Sequence, residues 1–335
     1  MGIAGGAGIA GIAGPAGGAG IRRLDVADEA GLLDFVRIRN AVTPDNTTSL
    51  EELRWEQATY PGQIELFLAE SGDRAGEPVG AATTGRIWMH QEDYERYWLG
   101  IWVVPEARNR GIGTSLYGLA SVAARAAGKT GFQTDLSEAY PDGQRFLANR
   151  GFVVTDRTKA VRLDLAGVVA PEVRPPPGFI LTSLAARPEL LPGVHATAVE
   201  AFPDVPTANE PLDAGTLEAF SVRDVERSGI PKDAFVIALD EATGEVAGYA
   251  SLFFAAGSTT VAFHHMTAVR RAYRGRGIAG ALKRATIAWA VENGLETLET
   301  GNDEANLPMR AVNADLGYRP IPDWLGLQGP LAPDA

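Results

Sequence analysis

The chain has 335 residues, of which 45% are hydrophobic, and a formal net charge of −12. This acidic balance argues against broad binding to nucleic acid or to an anionic membrane, because both require basic surfaces. The sequence has no cysteine, which excludes disulfides, cysteine-ligated zinc and a cysteine nucleophile. The four histidines, His90, His195, His264 and His265, lack metal-ligand spacing, so we expect no metal site.

The first 20 residues are rich in glycine and alanine, and no apolar run reaches the ~18 residues that a membrane span requires. This opening segment lacks the basic start of a signal peptide. Glycine and alanine also bury too little surface to offset the entropy lost on ordering. We therefore expect a disordered tail over residues 1–20, no membrane association and a cytoplasmic location.

After the tail, hydrophobic periodicity predicts alternating strands and helices. In chain order, these are strand 21–24, helices 27–40 and 49–59, and strands 65–70, 79–85 and 97–104. A loop rich in arginine and glycine follows, and a long amphipathic helix spans residues 111–127. A short strand, a short helix and a closing strand complete this half of the chain.

The second half repeats this order after a proline-rich linker at residues 167–178. Its elements are strand 179–182, helices 188–201 and 213–228, strands 234–239, 246–254 and 260–269, and helix 277–293. The loop Arg108–Gly113 matches Arg274–Ala279 in sequence, and both copies continue in the same register to a closing Gly-Phe or Gly-Tyr pair. The repeat predicts two domains, 21–166 and 179–335, each an α/β (α+β) mixed sheet with helices on both faces.

Each arginine- and glycine-rich loop lies between an apolar strand and an amphipathic helix. The first turn of a helix has unpaired backbone N–H groups and a partial positive charge. Glycine lets a phosphate oxygen approach these groups, and arginine supplies countercharge. The spacing fits neither a Walker A loop nor a dinucleotide-binding loop. A tight turn alone could explain one such loop, but two of the same composition indicate a pyrophosphate-binding site in each half.

The pattern Arg-x-x-Gly-x-Gly/Ala after the fourth strand resembles motif A of the GNAT acetyltransferase superfamily. The residues that match it are Arg108, Gly111 and Gly113 in the first copy and Arg274, Gly277 and Ala279 in the second. The resemblance covers nearly the whole chain after the tail. Residues 300–318 are similar to tandem GNAT proteins of actinobacteria, such as mycothiol synthase and acyltransferases of clavulanic acid-type gene clusters. The resemblance implies that the chain has two tandem GNAT-fold domains and is a CoA-dependent acyltransferase.

The resemblance also implies how acyl-CoA binds. In the family, the fourth strand separates from the fifth, its free backbone groups bind the pantetheine, and loop amides hold the pyrophosphate. The implied cofactor is acetyl-CoA or another short acyl-CoA, up to one per domain. In the first copy the implied contacts are Ile101, Val103, Arg108, Asn109, Arg110, Gly111, Ile112, Gly113 and Thr114. In the second copy they are Thr267, Val269, Arg274, Gly275, Arg276, Gly277, Ile278, Ala279, Gly280 and Asn306. Tyr140 stands in place of Asn306 in the first copy, which departs from the pattern.

Acyl transfer needs a base for the amine and a group that stabilises the leaving thiolate. Many family members place a tyrosine for the thiolate where this chain has Asn313, whose amide donates a hydrogen bond but is not an acid. A helix-surface or capping role for Asn313 is an equal alternative. For the base, we single out His264 and His265 on the fourth strand, of which at most one can face the acceptor. Structural roles for both histidines, or a base at Asp303 or Glu304, are the alternatives.

The first copy lacks these groups, because Trp98, Leu99 and Leu147 occupy the equivalent positions. We therefore predict that the second copy carries the chemistry. The first copy would bind acyl-CoA structurally or help to form a wall of the acceptor site.

The leading hypothesis is an enzyme that transfers an acetyl or other short acyl group from acyl-CoA to an amine of a small metabolite. The family resemblance places this reaction in actinobacterial secondary or thiol metabolism. A protein N-acetyltransferase is the second hypothesis among enzymes. A non-catalytic acyl-CoA sensor or assembly protein is the alternative from a different class. The expected partner is a small-molecule acceptor, with no nucleic acid and no membrane.

Overall fold

The protein is represented by a computed structural model that describes residues 20–72, 76–206 and 211–333. Spatial contacts divide the chain into two compact units. The first comprises the residues up to Arg86, Glu95–Thr134 and the residues from Pro330 onward, and the second comprises Ile87–Tyr94 and Asp135–Gly329. The domain boundaries predicted above follow the sequence repeat, whereas these units follow contacts, so the boundaries stay a prediction.

The first unit holds a mixed sheet with strands in the order β1-β2-β3-β4-β5. Its elements are β1 (Gly20–Arg23), α1 (Glu29–Val42), α2 (Leu50–Thr59), β2 (Ile64–Glu70), β3 (Pro78–Gly85), β4 (Arg96–Val103), α3 (Ile112–Ala126) and the start of β5 (Gly131–Ser137). Neighbouring strands are antiparallel except β4 and β5, which are parallel. Local sequence fixes the helix starts: Asp28 accepts a hydrogen bond from the backbone of Gly31, and Ser49 from that of Glu52.

Alternating residues of β2 show why helices cover both faces of this sheet. Leu66 and Leu68 pack with α1, in a cluster that includes Phe35. Phe67 and Ala69 point the other way and pack with α3. Because successive strand residues face opposite sides, an uninterrupted apolar strand requires a helix on each face.

The second unit holds a sheet in the order β13-β6-β11-β10-β9-β8-β7, with β12 also paired to β6. Its helices are α4 (Pro141–Ala148), α5 (Leu191–Ala201), α6 (Leu217–Asp224), α7 (Ile278–Glu292) and α8 (Leu307–Asp315). Its strands are β6 (Val153–Asp164), β7 (Phe179–Ser183), β8 (Val236–Asp240), β9 (Val246–Phe254), β10 (Val261–Val269), β11 (Thr297–Asp303), β12 (Arg319–Pro320) and β13 (Trp324–Pro330). The predicted α/β fold class, a mixed sheet flanked by helices, is confirmed.

Two predicted helices of the second half are shorter in the structure. The predicted helix 188–201 opens with a 3₁₀ turn at Pro188–Leu190, and α5 begins at Leu191. The predicted helix 213–228 becomes α6 over Leu217–Asp224 only. Thr216 caps α6 by accepting a hydrogen bond from the backbone of Ala219. Asp213 instead accepts one from Gly215 and closes the preceding turn.

The predicted tail lies outside the described residues, apart from Gly20, which already belongs to β1. None of the described helices combines the length and apolar character needed to cross a bilayer.

Candidate functional site

The two arginine- and glycine-rich loops adopt matching backbone conformations. Gly111 and Gly277 precede α3 and α7 with φ values of 84° and 82°, in the left-handed region that favours glycine. Two residues earlier, Asn109 and Gly275 have φ values of 61° and 75°. Asn109 is the only described residue other than glycine with a positive φ. The sequence repeat is therefore a repeat of backbone geometry as well.

No side chain in the described part of the chain caps either helix start. A Cβ atom built on Gly111 would meet no atom within 4 Å, and one on Gly277 would meet only Pro176 Cγ at 3.9 Å. Ile112 and Ile278 are buried, so their side chains anchor the starts of the two helices. An open approach to uncapped first-turn amides fits the pyrophosphate of an acyl-CoA.

The arginine that opens each loop has a structural role that the sequence did not suggest. Nε of Arg108 donates to the carbonyl of Val103 at 3.1 Å, and Nε of Arg274 donates to that of Val269 at 3.0 Å. Each arginine thus ties its loop back to the end of the fourth strand of its copy. The Nε–H group of each arginine is therefore committed to its own strand and does not serve a phosphate.

A negatively charged side chain from elsewhere in the sequence, Asp204, contacts the arginines at the second loop. Its carboxylate accepts hydrogen bonds from Arg271 at 2.6 and 2.8 Å and lies 2.8 Å from Nη2 of Arg274. These two arginines lower the pKa of Asp204 to about 2. Glu200 accepts from the backbone of Arg271 and from Nε of Arg270. The sequence analysis missed this acidic neighbourhood, because Asp204 is distant from the loop along the chain.

The fourth and fifth strands of each copy separate, as the resemblance implies. Parallel pairing joins Arg96–Trp98 to Gly131–Gln133, and in the second copy Val261–Phe263 to Thr297–Glu299. Beyond these pairs, the edges of β4 and β10 that face the fifth strand have no partner strand in the described part of the chain. The predicted pantetheine positions, Ile101, Val103, Thr267 and Val269, all lie in these separated segments.

The two candidate histidines lie at a β-bulge in β10, immediately after the separation begins. The pairing with β9 shifts between His264 and Met266, which leaves His265 as the extra residue. His264 contacts Tyr318, whereas His265 contacts Asp224 at the end of α6. The two side chains therefore face opposite sides of the sheet, and only His265 is on the side of α5 and α6.

His265 is held by a buried carboxylate. Its Nε2 lies 2.9 Å from Oδ1 of Asp224, which is 4% exposed. Burial alone would raise the pKa of Asp224, but the hydrogen bond from His265 and the charge of Arg223 hold it below its usual value. An ionised carboxylate only accepts hydrogen bonds, so Nε2 of His265 carries a proton and Nδ1 is the ring nitrogen that can act as a base.

His264 belongs to a buried polar network instead. Its Nε2 lies 2.5 Å from the hydroxyl of Tyr318, and its Nδ1 is buried without a hydrogen-bond partner among the described residues. Burial, with a smaller effect of the Lys283 charge, lowers the pKa of His264 well below 6.5. The ring is therefore neutral at neutral pH and enclosed, which fits a structural role better than proton exchange with an acceptor.

Asn313 lies in the same network, 2% exposed on α8. Its carbonyl oxygen accepts a hydrogen bond from Lys283, and its amide donates to Asn302 at 2.7 Å. Lys283 is 1% exposed on α7, and burial lowers its pKa to about 7. Both ends of the Asn313 amide are therefore hydrogen-bonded inside the protein. The structure does not support the expected contact between Asn313 and the CoA thiolate.

The other predicted contacts are distributed around the two helix starts. Asn306 caps α8 by accepting a hydrogen bond from the backbone of Met309 at 3.3 Å. Its counterpart Tyr140 precedes α4 without such a bond. The remaining predicted residues lie in the loops or in the first turns of α3 and α7: Arg110, Gly113, Thr114, Arg276, Ala279 and Gly280.

The first copy has no equivalent of the His265–Asp224 pair. The sequence repeat aligns Leu99 with His265, but strand pairing places Leu99, which is 2% exposed, at the position of His264. Trp98 corresponds to Phe263, and the extra residue His265 has no counterpart in β4. The sequence did not reveal Asp224 or Arg223, because α6 carries no motif. Lys283 did leave a signal, because it is a lysine among the mainly apolar buried positions of α7.

Comparison with known proteins agrees with this geometry. The family model for the acetyltransferase (GNAT) family matches residues 33–152 and 202–318. No curated protein sequence matches significantly. A solved tandem GNAT protein from the clavulanic acid biosynthesis pathway superposes with a TM-score of 0.75 at 22% identity, covering 95% of this chain and 100% of that one.

Two further solved structures share the fold. A GCN5-related N-acetyltransferase from Sphaerobacter thermophilus gives a TM-score of 0.70 at 17% identity, covering 95% of this chain and 97% of its own. Saccharomyces cerevisiae N-myristoyltransferase with bound myristoyl-CoA gives 0.64 at 10% identity, with 95% and 80% coverage. Two matched regions, each with a separated strand pair and an uncapped glycine-led helix, show that the chain belongs to the GNAT acetyltransferase family.

Proposed function

We propose that the chain transfers an acetyl or other short acyl group from acyl-CoA to the amine of a small metabolite, and that its second copy performs the reaction. The observation that carries this proposal is the His265–Asp224 pair at the point where β10 and β11 separate. The likeness to a tandem GNAT protein from the clavulanic acid biosynthesis pathway supports a small-molecule acceptor. An acyl-CoA substrate makes the cytoplasm the compartment of the proposed reaction.

Acyl-CoA supplies an acyl group activated as a thioester. In the proposed mechanism, Nδ1 of His265 accepts the proton that the acceptor amine must lose, directly or through a water molecule. Asp224 stabilises the resulting imidazolium and keeps the ring oriented. Backbone N–H groups on the free edge of β10 polarise the thioester carbonyl. The departing CoA thiolate takes its proton from solvent, since the Asn313 amide is not an acid and is already bonded on both sides.

The first copy is proposed to bind acyl-CoA without turnover. It keeps the left-handed glycine, the uncapped helix start and the separated strands. It has no counterpart of His265, however, because β4 pairs with β3 without the bulge that adds this histidine to β10. Two CoA molecules per chain and one catalytic centre are therefore expected.

Release of free CoA thiol from acetyl-CoA tests the proposed reaction. We expect thiol release that depends on a small amine acceptor, measured across a panel of amino acids, amino sugars and polyamines. Release only with peptide or protein N-termini would favour a protein N-acetyltransferase. Calorimetric binding of CoA without thiol release with any acceptor would favour the non-catalytic sensor.

His265→Gln is expected to lower kcat by about 100-fold or more, because loss of a general base typically costs a factor of this size. His264→Gln should lower the free energy of unfolding, since it disturbs a buried network, but change kcat less than tenfold. Steady-state kinetics and urea denaturation of both variants distinguish the neighbouring histidines. A large loss of kcat in the His264 variant alone would contradict this prediction, because it would place the base on the opposite face of the sheet.

Asp204→Asn is expected to tighten CoA binding at the second loop about two- to fivefold. The substitution removes a negative charge beside the proposed phosphate site and releases donors of Arg271 and Arg274, and surface charge pairs contribute up to about 1 kcal/mol. The effect should shrink as salt is raised. Calorimetric titration with CoA measures it, and Asp34→Asn, which alters an exposed pair with Arg37, is the control. Weaker binding would show that Asp204 instead orients these arginines for phosphate.

A further inference from the structure

The loop Ile87–Tyr94 belongs by sequence to the first copy, where it connects β3 to β4. In the structure it is part of the second compact unit. The Met89 carbonyl accepts a hydrogen bond from the backbone of Asp213 at 3.2 Å. The Met89 side chain packs against the apolar cluster that surrounds α5 and α6, which includes Phe202 and Phe220. This loop therefore lies against the segment that leads into α6.

The same loop contacts the charged end of α6 through Arg223. The Arg223 side chain is 11% exposed, and its guanidinium donates to the Trp88 carbonyl at 3.4 Å and to the Ala214 carbonyl at 3.2 Å. Its Nε and Nη2 reach Oδ2 of Asp224 at 2.8 and 2.6 Å. Backbone carbonyls from two separate segments thus fix the plane of the guanidinium, and the guanidinium in turn fixes one oxygen of Asp224.

The other oxygen of Asp224 contacts His265, so the contacts form a continuous series from the loop to the histidine. A buried carboxylate with a single partner could rotate, and a rotated Asp224 would no longer hold His265 Nε2–H. With Oδ2 held by Arg223, only Oδ1 remains for His265. Outer hydrogen bonds of this kind commonly set the tautomer and orientation of a functional histidine.

We infer that the loop 87–94 of the first copy positions His265 of the second copy through Arg223 and Asp224. Trp88 and Met89 are positioning residues, and so are Arg223 and Asp224, because they act on the reaction through His265. This inference rests on the proposed role of His265 as the base. It gives the first copy a function in catalysis that is independent of any acyl-CoA that it binds.

The inference is tested in the full-length chain with three substitutions: Asp224→Asn, Arg223→Lys and Met89→Ser. The readout independent of activity is the His265 tautomer, observed from ring ¹⁵N shifts by NMR. The chain has only four histidines, so variants can assign the spectrum. We expect wild-type His265 to be protonated at Nε2, and each substitution to produce a mixture of tautomers. We also expect kcat to fall about 10-fold or more in the Asp224 variant and about threefold or more in the other two, with KM for acyl-CoA changed less than threefold.

Leu50→Ser is the matched control for Met89→Ser, because Leu50 is also half-buried and packs on an apolar cluster, in the first unit. It should lower stability without changing the His265 tautomer or kcat. If Met89→Ser does not fold, Arg223→Lys tests the same series of contacts while keeping the charge. An unchanged tautomer in the Met89 and Arg223 variants would overturn the inference. Absence of thiol release by the wild type would refute the proposed function, whereas the tautomer measurement would still decide whether the loop positions His265.

Discussion

Gly277→Asp is expected to lower kcat/KM for acyl transfer by at least about 100-fold, whereas Gly111→Asp should change it less than fivefold. Each substitution places a carboxylate at a helix start that, in the proposed function, faces a pyrophosphate. Repulsion at the second loop removes the acyl donor from the copy that has His265 and Asp224. Repulsion at the first loop removes a CoA molecule from a copy that has no counterpart of His265.

The two glycines form a matched pair, so a difference in activity cannot be attributed to folding. Both precede 15-residue helices, both have φ near +83°, and neither has an atom within 3.8 Å of an added Cβ. A non-glycine residue at such a φ costs about 1–2 kcal/mol, and this cost should be the same in both variants. Calorimetry should show two CoA sites in the wild type and one in each variant. Equal losses of turnover would contradict the assignment of catalysis to the second copy.

The buried side chain of Lys283 is expected to make the free energy of unfolding depend strongly on pH. In the folded chain its pKa is about 7, against 10.5 for the free side chain, because burial disfavours the ammonium. Between about pH 7 and 10.5 the unfolded chain therefore binds a proton that the folded chain lacks, and the free energy of unfolding rises with pH. One pKa unit corresponds to about 1.4 kcal/mol, so this residue alone should contribute a rise of roughly 3 kcal/mol between pH 7 and 9.5.

Lys283→Met should remove this dependence. The variant loses the hydrogen bond to Asn313 but keeps an apolar side chain of similar length in a buried position. We expect it to be at least as stable as the wild type at pH 6.5 and less stable than the wild type at pH 9.5, as measured by urea denaturation. Lys232→Met, which alters an exposed pair with Glu226, should change stability by less than about 0.5 kcal/mol at both pH values. Parallel pH profiles for the wild type and the Lys283 variant would show that Lys283 keeps an ordinary pKa.

Much of the fold follows from local sequence. The matching loops Arg108–Gly113 and Arg274–Ala279 predict the repeat, and Gly111 and Gly277 share the left-handed backbone that favours glycine. Strand β9 begins and ends at the predicted residues, Val246–Phe254, because a largely apolar run with three aromatic residues between turns is a strong local signal. The helix 213–228 was predicted too long, since its first residues form a turn closed by side-chain hydrogen bonds.

The candidate site was predictable only in part, because its contacts join residues far apart in sequence. The pattern on β10 indicated that one of two histidines faces the acceptor, but the choice depends on Asp224, 41 residues away. The bulge at His265 has no glycine or proline to mark it. Asn313 seemed suited to the thiolate as a side chain in isolation, whereas burial beside Lys283 commits its amide to the interior.

Strand β6 affects the order in which the chain can fold during its synthesis. It is encoded before the linker, yet it is an internal strand of the second unit, between β11 on one edge and β12 and β13 on the other. These neighbouring strands are translated well over a hundred residues later. Until then, neither edge of β6 can form its native strand pairs. Such late, non-local pairing slows folding and exposes strand edges to wrong partners. A gene that encoded only the second copy would therefore lack a central strand of its sheet. The second copy depends on residues of the first for its fold, independently of catalysis.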